Sequence, residues 1–204
     1  MAIRYGASAV GLVSAMPSGP GPIVESVIAE IAAAVPPPIA TFLLTCLNDA
    51  DPIIDQQRHC GTNTLQLVDA VPIDTYAKLR RALPGIGIVQ VIHVIDEESA
   101  REACAIAPQV DALLLDSGNP HLGVKELGGT GRVHDWGLSR KIVETCGKPV
   151  FLAGGLRAQN AAAAVADVKS FGLDLCSGVR SNDKLDESKL SAFFSALHSM
   201  GVQA

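Results

Sequence analysis

Short apolar runs alternate with amphipathic stretches along the whole chain. Runs of strand length fall at Ala9–Val13, Ile39–Leu44, Thr64–Val68, Ile88–His93, Asp111–Leu115, Val150–Ala153 and Leu173–Cys176. The stretches between them carry the helical period. Ile23, Val27, Ile28, Ile31 and Val35 share one helical face, with Pro22 suited to the first turn. Asp96 is placed to cap a helix over Glu97–Ala107, and Asp135 one over Trp136–Cys146, which Gly147 closes. A last pattern, Asp186 to Met200, points Leu190, Phe193, Phe194 and Leu197 inward. Strands alternating with helices at this spacing predict βαβ units and a parallel sheet.

The count is seven strands, one fewer than a closed (β/α)8 barrel needs. The opening residues, Met1 to Ala7, read as the last turn of a helix entering the Ala9 strand, with Gly6 as its terminating glycine. The expected fold is therefore α/β, a TIM (β/α)8-type barrel lacking its first strand and most of its first helix. An apolar strand is then expected upstream in the same frame. A seam left open would expose two parallel edges, which favours a homodimer that covers them.

Composition fits a single domain over residues 1–204. The length is near the lower end of the range for such barrels, roughly 200 to more than 400 residues. With 48% hydrophobic and only 18% charged residues, the chain can bury a sizeable core. A formal net charge of -5 gives no basic footprint for nucleic acid. No apolar run reaches the roughly 18 residues of a membrane span; the longest candidate, residues 27–44, is broken by Glu30 and Pro36-Pro37-Pro38. The start, MAIRYGASAVG, lacks a charged region followed by an apolar core, so no signal peptide is expected. Cys46, Cys60, Cys104, Cys146 and Cys176 are scattered and odd in number, which reads as reduced cytoplasmic thiols. His121 and His134 flank a glycine loop without metal-ligand spacing, and no metal is expected.

Candidate chemistry concentrates after Asp111. The run Ala112-Leu113-Leu114-Leu115 ends in Asp116, and Gly128-Gly129-Thr130-Gly131 follows. A buried parallel strand that delivers an acid to its carboxyl end, beside a loop with bare backbone, describes an enzyme site. The plainer alternative is a solvated Asp before a flexible loop. Two later strands weigh for the site, because each breaks into small residues before a helical pattern: Gly154-Gly155 after one, Ser177-Gly178 after the other. In eight-stranded barrels the last two such turns commonly bind phosphate through backbone N–H groups and a helix start. His93 ends its strand and is equally readable as a mouth residue or a structural histidine. Arg132 and Arg180 lie near these turns and could contact a phosphate or an acid group, against the commoner role of solvated arginines.

The segments LLLDSG, GGTGRVHDW, LAGGL and DLCSGV, in this order, resemble the phosphoribosylanthranilate isomerase family of tryptophan biosynthesis. The likeness runs from GASAVGLV at residues 6–13 to the last helix. It implies a minimal (β/α)8 barrel, without cofactor, that performs the Amadori rearrangement of N-(5-phosphoribosyl)anthranilate. By that resemblance Asp116 is the general acid that opens the ribose ring. Gly154, Gly155, Ser177 and Gly178 are the phosphate-binding turns, and Gly129-Thr130-Gly131 is the mobile loop beside the substrate. Several features depart from the family pattern. Its general-base cysteine belongs to a first strand that this chain does not show. The basic residue that holds the anthranilate carboxylate is replaced by Pro17-Ser18-Gly19-Pro20-Gly21-Pro22. The family's Gln-Leu-His is Gln66-Leu67-Val68, and the acid after SGV is Arg180. Cys176 or Cys46 could serve as substitute base, against the commoner role of a packing thiol. Two alternatives follow from these departures: a non-catalytic phosphosugar-binding relative, or an isomerase of a different phosphorylated aminosugar.

Overall fold

In the computed structural model, which describes residues 1–199 and 201, seven parallel strands form one sheet in chain order. They are β1 (Ala9–Val13), β2 (Ala40–Thr45), β3 (Thr64–Leu67), β4 (Gly87–His93), β5 (Ala112–Asp116), β6 (Val150–Leu152) and β7 (Gly172–Leu173). One helix links each strand to the next: α1 (Glu25–Ala34), α2 (Ala50–Cys60), α3 (Ile73–Ala82), α4 (Glu97–Ile106), α5 (Trp136–Thr145) and α6 (Ala161–Val168). A short hairpin, β8 (Arg180–Ser181) with β9 (Lys184–Leu185), leads into α7 (Glu187–His198).

Strand alternation sorts the side chains into two cores. Leu43, Leu65, Leu67, Ile88, Ile92, Leu113, Leu115, Val150 and Leu152 face the helices and join the larger cluster. Phe42, Leu44, Val68, Val89, Val91, Ala112, Leu114, Phe151 and Ala153 point the other way into a second one. The sheet curls around that second cluster. Strands four places apart in a flat sheet would be separated by about 19 Å, yet the rings of Phe42 on β2 and Phe151 on β6 are 6.1 Å apart. This inner face is a barrel interior, and whatever ends a strand on it stands at the barrel mouth.

Several boundaries differ from the sequence reading. Strand β7 is in register with β6 at Gly172 and Leu173, and its last bond to β6 runs from the Asp174 N–H to the Leu152 carbonyl at 2.8 Å, not as far as Cys176. At Cys176 the backbone leaves the extended region (φ -133°, ψ -88°) and enters a 3-10 turn over Ser177–Val179, which pulls the chain away from the sheet. Helix α1 starts at Glu25, so Pro22 lies in the preceding loop, and Val27 is exposed while Ile28 is fully buried. Asp96 caps α4 in a capping box with Ser99, and the Asp135 side chain accepts from the Gly137 N–H at 2.7 Å to start α5. Asp186 caps α7, whose Leu190, Phe193, Phe194 and Leu197 are buried; Met200 lies outside the described residues. Ala2–Tyr5 form a 3-10 turn closed by Gly6 at φ 108°. That turn meets the last helix: the Tyr5 hydroxyl donates to Glu187 Oε1 at 3.1 Å and its ring lies 6.5 Å from Phe194.

Candidate active site

Parity along β5 fixes where its acid goes. Leu113 and Leu115 face the helices, so Ala112, Leu114 and Asp116 face the interior, and Asp116 ends the strand at the mouth. Its carboxylate is only 7% exposed and accepts from the Ser117 N–H at 2.7 Å. Burial raises its pKa above the usual carboxylate range, and the Ser117 hydrogen bonds with the His93 and Arg132 charges offset part of that rise. His93, in register with Asp116 on β4, donates Nε2 to the Val68 carbonyl at 3.0 Å, while Nδ1 is buried without a partner.

The same parity beyond β7 turns Leu173 and Leu175 outward, and Asp174 and Cys176 inward. Asp174 is pushed up to about 6, first by burial and then by the charge of Asp116. The mouth therefore holds two carboxyls that resist being ionised together, and near pH 6 the pair carries a proton. Burial also raises the Cys176 thiol, and the Arg180 charge partly reverses this.

The turns after β6 and β7 meet backbone to backbone. A Cβ on Gly178 would lie 1.8 Å from the Leu156 carbonyl oxygen, and one on Gly155 would lie 2.7 Å from the Arg132 carbonyl carbon. Only residues without a side chain allow this approach. Among the described residues, the N–H groups of Gly154, Gly155, Ser177 and Gly178 find no acceptor within the chain, which suits them to an anion. Asn160 shapes the first turn by donating Nδ2 to the Gly155 carbonyl at 3.0 Å and accepting from the Arg157 N–H at 2.8 Å. The sequence reading placed both turns at helix starts. Instead, α6 begins only at Ala161, and the second turn opens a three-residue 3-10 helix. The donors are turn amides, not the first turn of a long helix.

The segment between β5 and α5 crosses the mouth and is tied down on several sides. Ser117 Oγ lies 2.7 Å from Thr130 Oγ1, and Lys125 is ion-paired with the buried Asp69. Ser18, in the loop after β1, donates to the Lys125 carbonyl at 2.7 Å, and Arg132 pairs with Glu126. His134 follows, with Nε2 2.7 Å from Ser139 Oγ; burial lowers its pKa to about 4, so it is neutral at pH 7.

One cavity is lined by Asp116, Gly129, Thr130, Gly131, Gly154, Gly155, Ser177, Gly178 and Cys176, with Asp174 among them. A neighbouring cavity shares Gly131, Gly155, Ser177 and Gly178 and adds Arg157 and Lys189. Cys46 is apart from both. It packs on the inner core, donates its thiol to the Ala15 carbonyl at 3.2 Å, and has its pKa raised by burial. The sequence reading missed Asp174, Asn160, Arg157 and Lys189. Asp174 was within reach, two residues before Cys176 and so on the same face of the strand. The others become site residues only through the fold. No group of three or more metal-ligating side chains occurs among the described residues, and no described helix is long and apolar enough to cross a membrane.

A curled parallel sheet with outer helices, an acid at a strand's carboxyl end and two glycine turns beside it define the TIM-barrel class. Residues 30–196 match the family model described as "N-(5'phosphoribosyl)anthranilate (PRA) isomerase". N-(5'-phosphoribosyl)anthranilate isomerase 2 of Methanosarcina mazei is 35% identical over 195 residues, covering 95% of this chain and 85% of that protein. N-(5'-phosphoribosyl)anthranilate isomerase of Haloferax volcanii is 36% identical over 193 residues, covering 94% and 83%. The crystal structure of phosphoribosyl anthranilate isomerase from Thermus thermophilus superposes with a TM-score of 0.81 at 22% identity, covering 98% of this chain and 92% of that one, a likeness of fold. The chain belongs to the N-(5'-phosphoribosyl)anthranilate isomerase family.

Proposed function

We propose that this chain isomerises N-(5'-phosphoribosyl)anthranilate by an Amadori rearrangement in tryptophan biosynthesis, as a cytoplasmic enzyme. The observation that carries the reading is one cavity in which a buried acid, its pKa raised by burial, faces two amide-rich turns. The phosphate sits against the N–H groups of Gly154, Gly155, Ser177 and Gly178, which anchors the sugar with its ring oxygen toward Asp116. Asp116 gives its proton to that oxygen as the ring C–O bond breaks, leaving a protonated imine at the anomeric carbon. Loss of the proton on the next carbon yields an enolamine, which tautomerises to the ketone. Of the two thiols considered as base, Cys176 lines the cavity with Asp116, and Cys46 does not. Gly129-Thr130-Gly131 covers the bound sugar, with Thr130 held by Ser117. A homodimer belongs to this reading, and sedimentation would test it.

Turnover of N-(5'-phosphoribosyl)anthranilate by the purified protein, and growth of a tryptophan auxotroph lacking this isomerase, test the reading. Both should be positive. Binding of ribose 5-phosphate with no turnover would leave a phosphosugar-binding protein. Turnover of a phosphorylated aminosugar without the aromatic acid would point to a different isomerase.

A further inference from the structure

We propose that Arg180, in the hairpin after β7, is the specificity residue that holds the aromatic carboxylate of the substrate. The inference rests on the isomerase reading above. That substrate carries two anions at opposite ends, a phosphate and a ring carboxylate. The turn amides account for the phosphate. A second anion entering a mouth that already contains Asp116 and Asp174 needs a cation of its own.

The cations around the mouth are mostly committed. Lys125 is paired with Asp69 and Arg132 with Glu126. Arg157 and Lys189 line the cavity beside the phosphate turns. Arg180 is held at its base and free at its head. Its carbonyl accepts from Lys189 Nζ at 2.6 Å, and its backbone pairs with Leu185 in the β8–β9 hairpin. Among the described residues its guanidinium makes one hydrogen bond, from Nη1 to the Asp183 carbonyl at 3.3 Å, and no ion pair.

That guanidinium lies against Gly21, in the loop after β1. A Cβ on Gly21 would be 3.1 Å from Nη1, 3.5 Å from Nη2 and 3.6 Å from Cζ. The loop, residues 14–24, reads SAMPSGPGPIV and has no cation. It is also a wall of the mouth. Ser18 bonds the Lys125 carbonyl, and a Cβ on Gly19 would lie 3.3 Å from the Gly128 carbonyl oxygen. Two departures noted in the sequence, a turn without Lys or Arg and an arginine after SGV, thus meet at one contact. The hairpin beyond β7 lends the opposite edge the charge that its own loop lacks. The Arg180 charge is also felt at Cys176, inside the cavity. A guanidinium suits this task, because its planar fork takes a carboxylate bidentately and its face stacks on an aromatic ring.

Calorimetric titration of the wild type and Arg180→Met with three probes tests this. The probes are the reduced ring-opened product analogue bearing an o-carboxyphenylamino group, the same compound with a plain phenylamino group, and ribose 5-phosphate. The wild type should prefer the carboxylated analogue about 10- to 100-fold, as expected for a hydrogen-bonded charge pair. Arg180→Met should erase that preference while binding the other two probes within about threefold of wild type, and Arg180→Lys should keep part of it. A methionine variant that folds, by its thermal melt, and retains the preference would overturn the proposal. So would equal loss of affinity for all three probes, which would make Arg180 a support of the phosphate turn. Wild-type protein that turns over the substrate yet binds the first two probes equally refutes this inference alone. Absence of both turnover and preference refutes the isomerase reading, and this inference with it.

Discussion

Replacing Asp174 with asparagine should make the protein more stable at neutral pH, by an amount set by the carboxyl's surroundings. Asp174 rises from an ordinary 3.8 to about 6 on folding, through burial and the charge of Asp116. Ionising it in the folded protein costs roughly 3 kcal/mol more than in the unfolded chain. Its partial opening to the mouth screens that cost, leaving about 1–2 kcal/mol. Because the folded-state pKa is the higher one, the folded protein binds more protons between pH 3.8 and about 6. Stability therefore falls as pH rises through that window and levels off above it. Asparagine has nearly the same shape and does not titrate. Denaturant melts from pH 4 to 7.5 should show the variant and wild type alike at the acid end. The variant should then gain about 1–2 kcal/mol by pH 7, or roughly 2–8 °C in Tm for a chain of this size. A difference that does not change with pH, or an asparagine variant less stable at pH 7, would refute the electrostatic reasoning.

Other perturbations address the remaining parts of the site. Gly178→Ala puts a methyl 1.8 Å from the Leu156 carbonyl oxygen, so it should cost about 1–3 kcal/mol in a thermal melt. It should also weaken ribose 5-phosphate binding at least several-fold by calorimetry. His134 is depressed to about 4 from 6.5, so the unfolded chain takes up that proton first and stability is lost as pH falls from 6.5 toward 4. His134→Gln should flatten this slope by roughly 1–3 kcal/mol across the window, as read from urea midpoints.

Much of this architecture could be read from the chain because its signals are local. A run such as Ala112–Leu115, apolar throughout and of strand length, reads as a strand covered on both faces, and Asp96 and Asp135 announce their helix starts. Asp116, the glycine loop and the two turns were visible because small residues and an acid interrupt apolar runs. Long-range facts were not legible. Nothing near Asp174 in sequence shows that Asp116 will face it across the mouth, and nothing near Arg180 shows Gly21 beneath its guanidinium. The sequence extends β7 to Cys176 because apolar residues continue to Leu175, although the last hydrogen bond to β6 is from the Asp174 N–H to the Leu152 carbonyl at 2.8 Å. Pairing, not hydrophobicity, ends that strand. Helix α1 begins one turn later than Pro22 suggests, because the chain holds Pro22 in the loop that walls the mouth.

The central claim is that the acid at the end of β5 and the turns beyond β6 and β7 form one site, with separate duties in chemistry and binding. Asp116→Asn keeps the shape of the side chain and removes the proton it gives. Steady-state turnover of N-(5'-phosphoribosyl)anthranilate, with ribose 5-phosphate affinity measured on the same preparations, tests this division directly. The variant should lose roughly two to four orders of magnitude in kcat while its phosphosugar affinity stays within a few-fold of wild type. Equal turnover by variant and wild type would contradict the account, because the proton would then come from elsewhere.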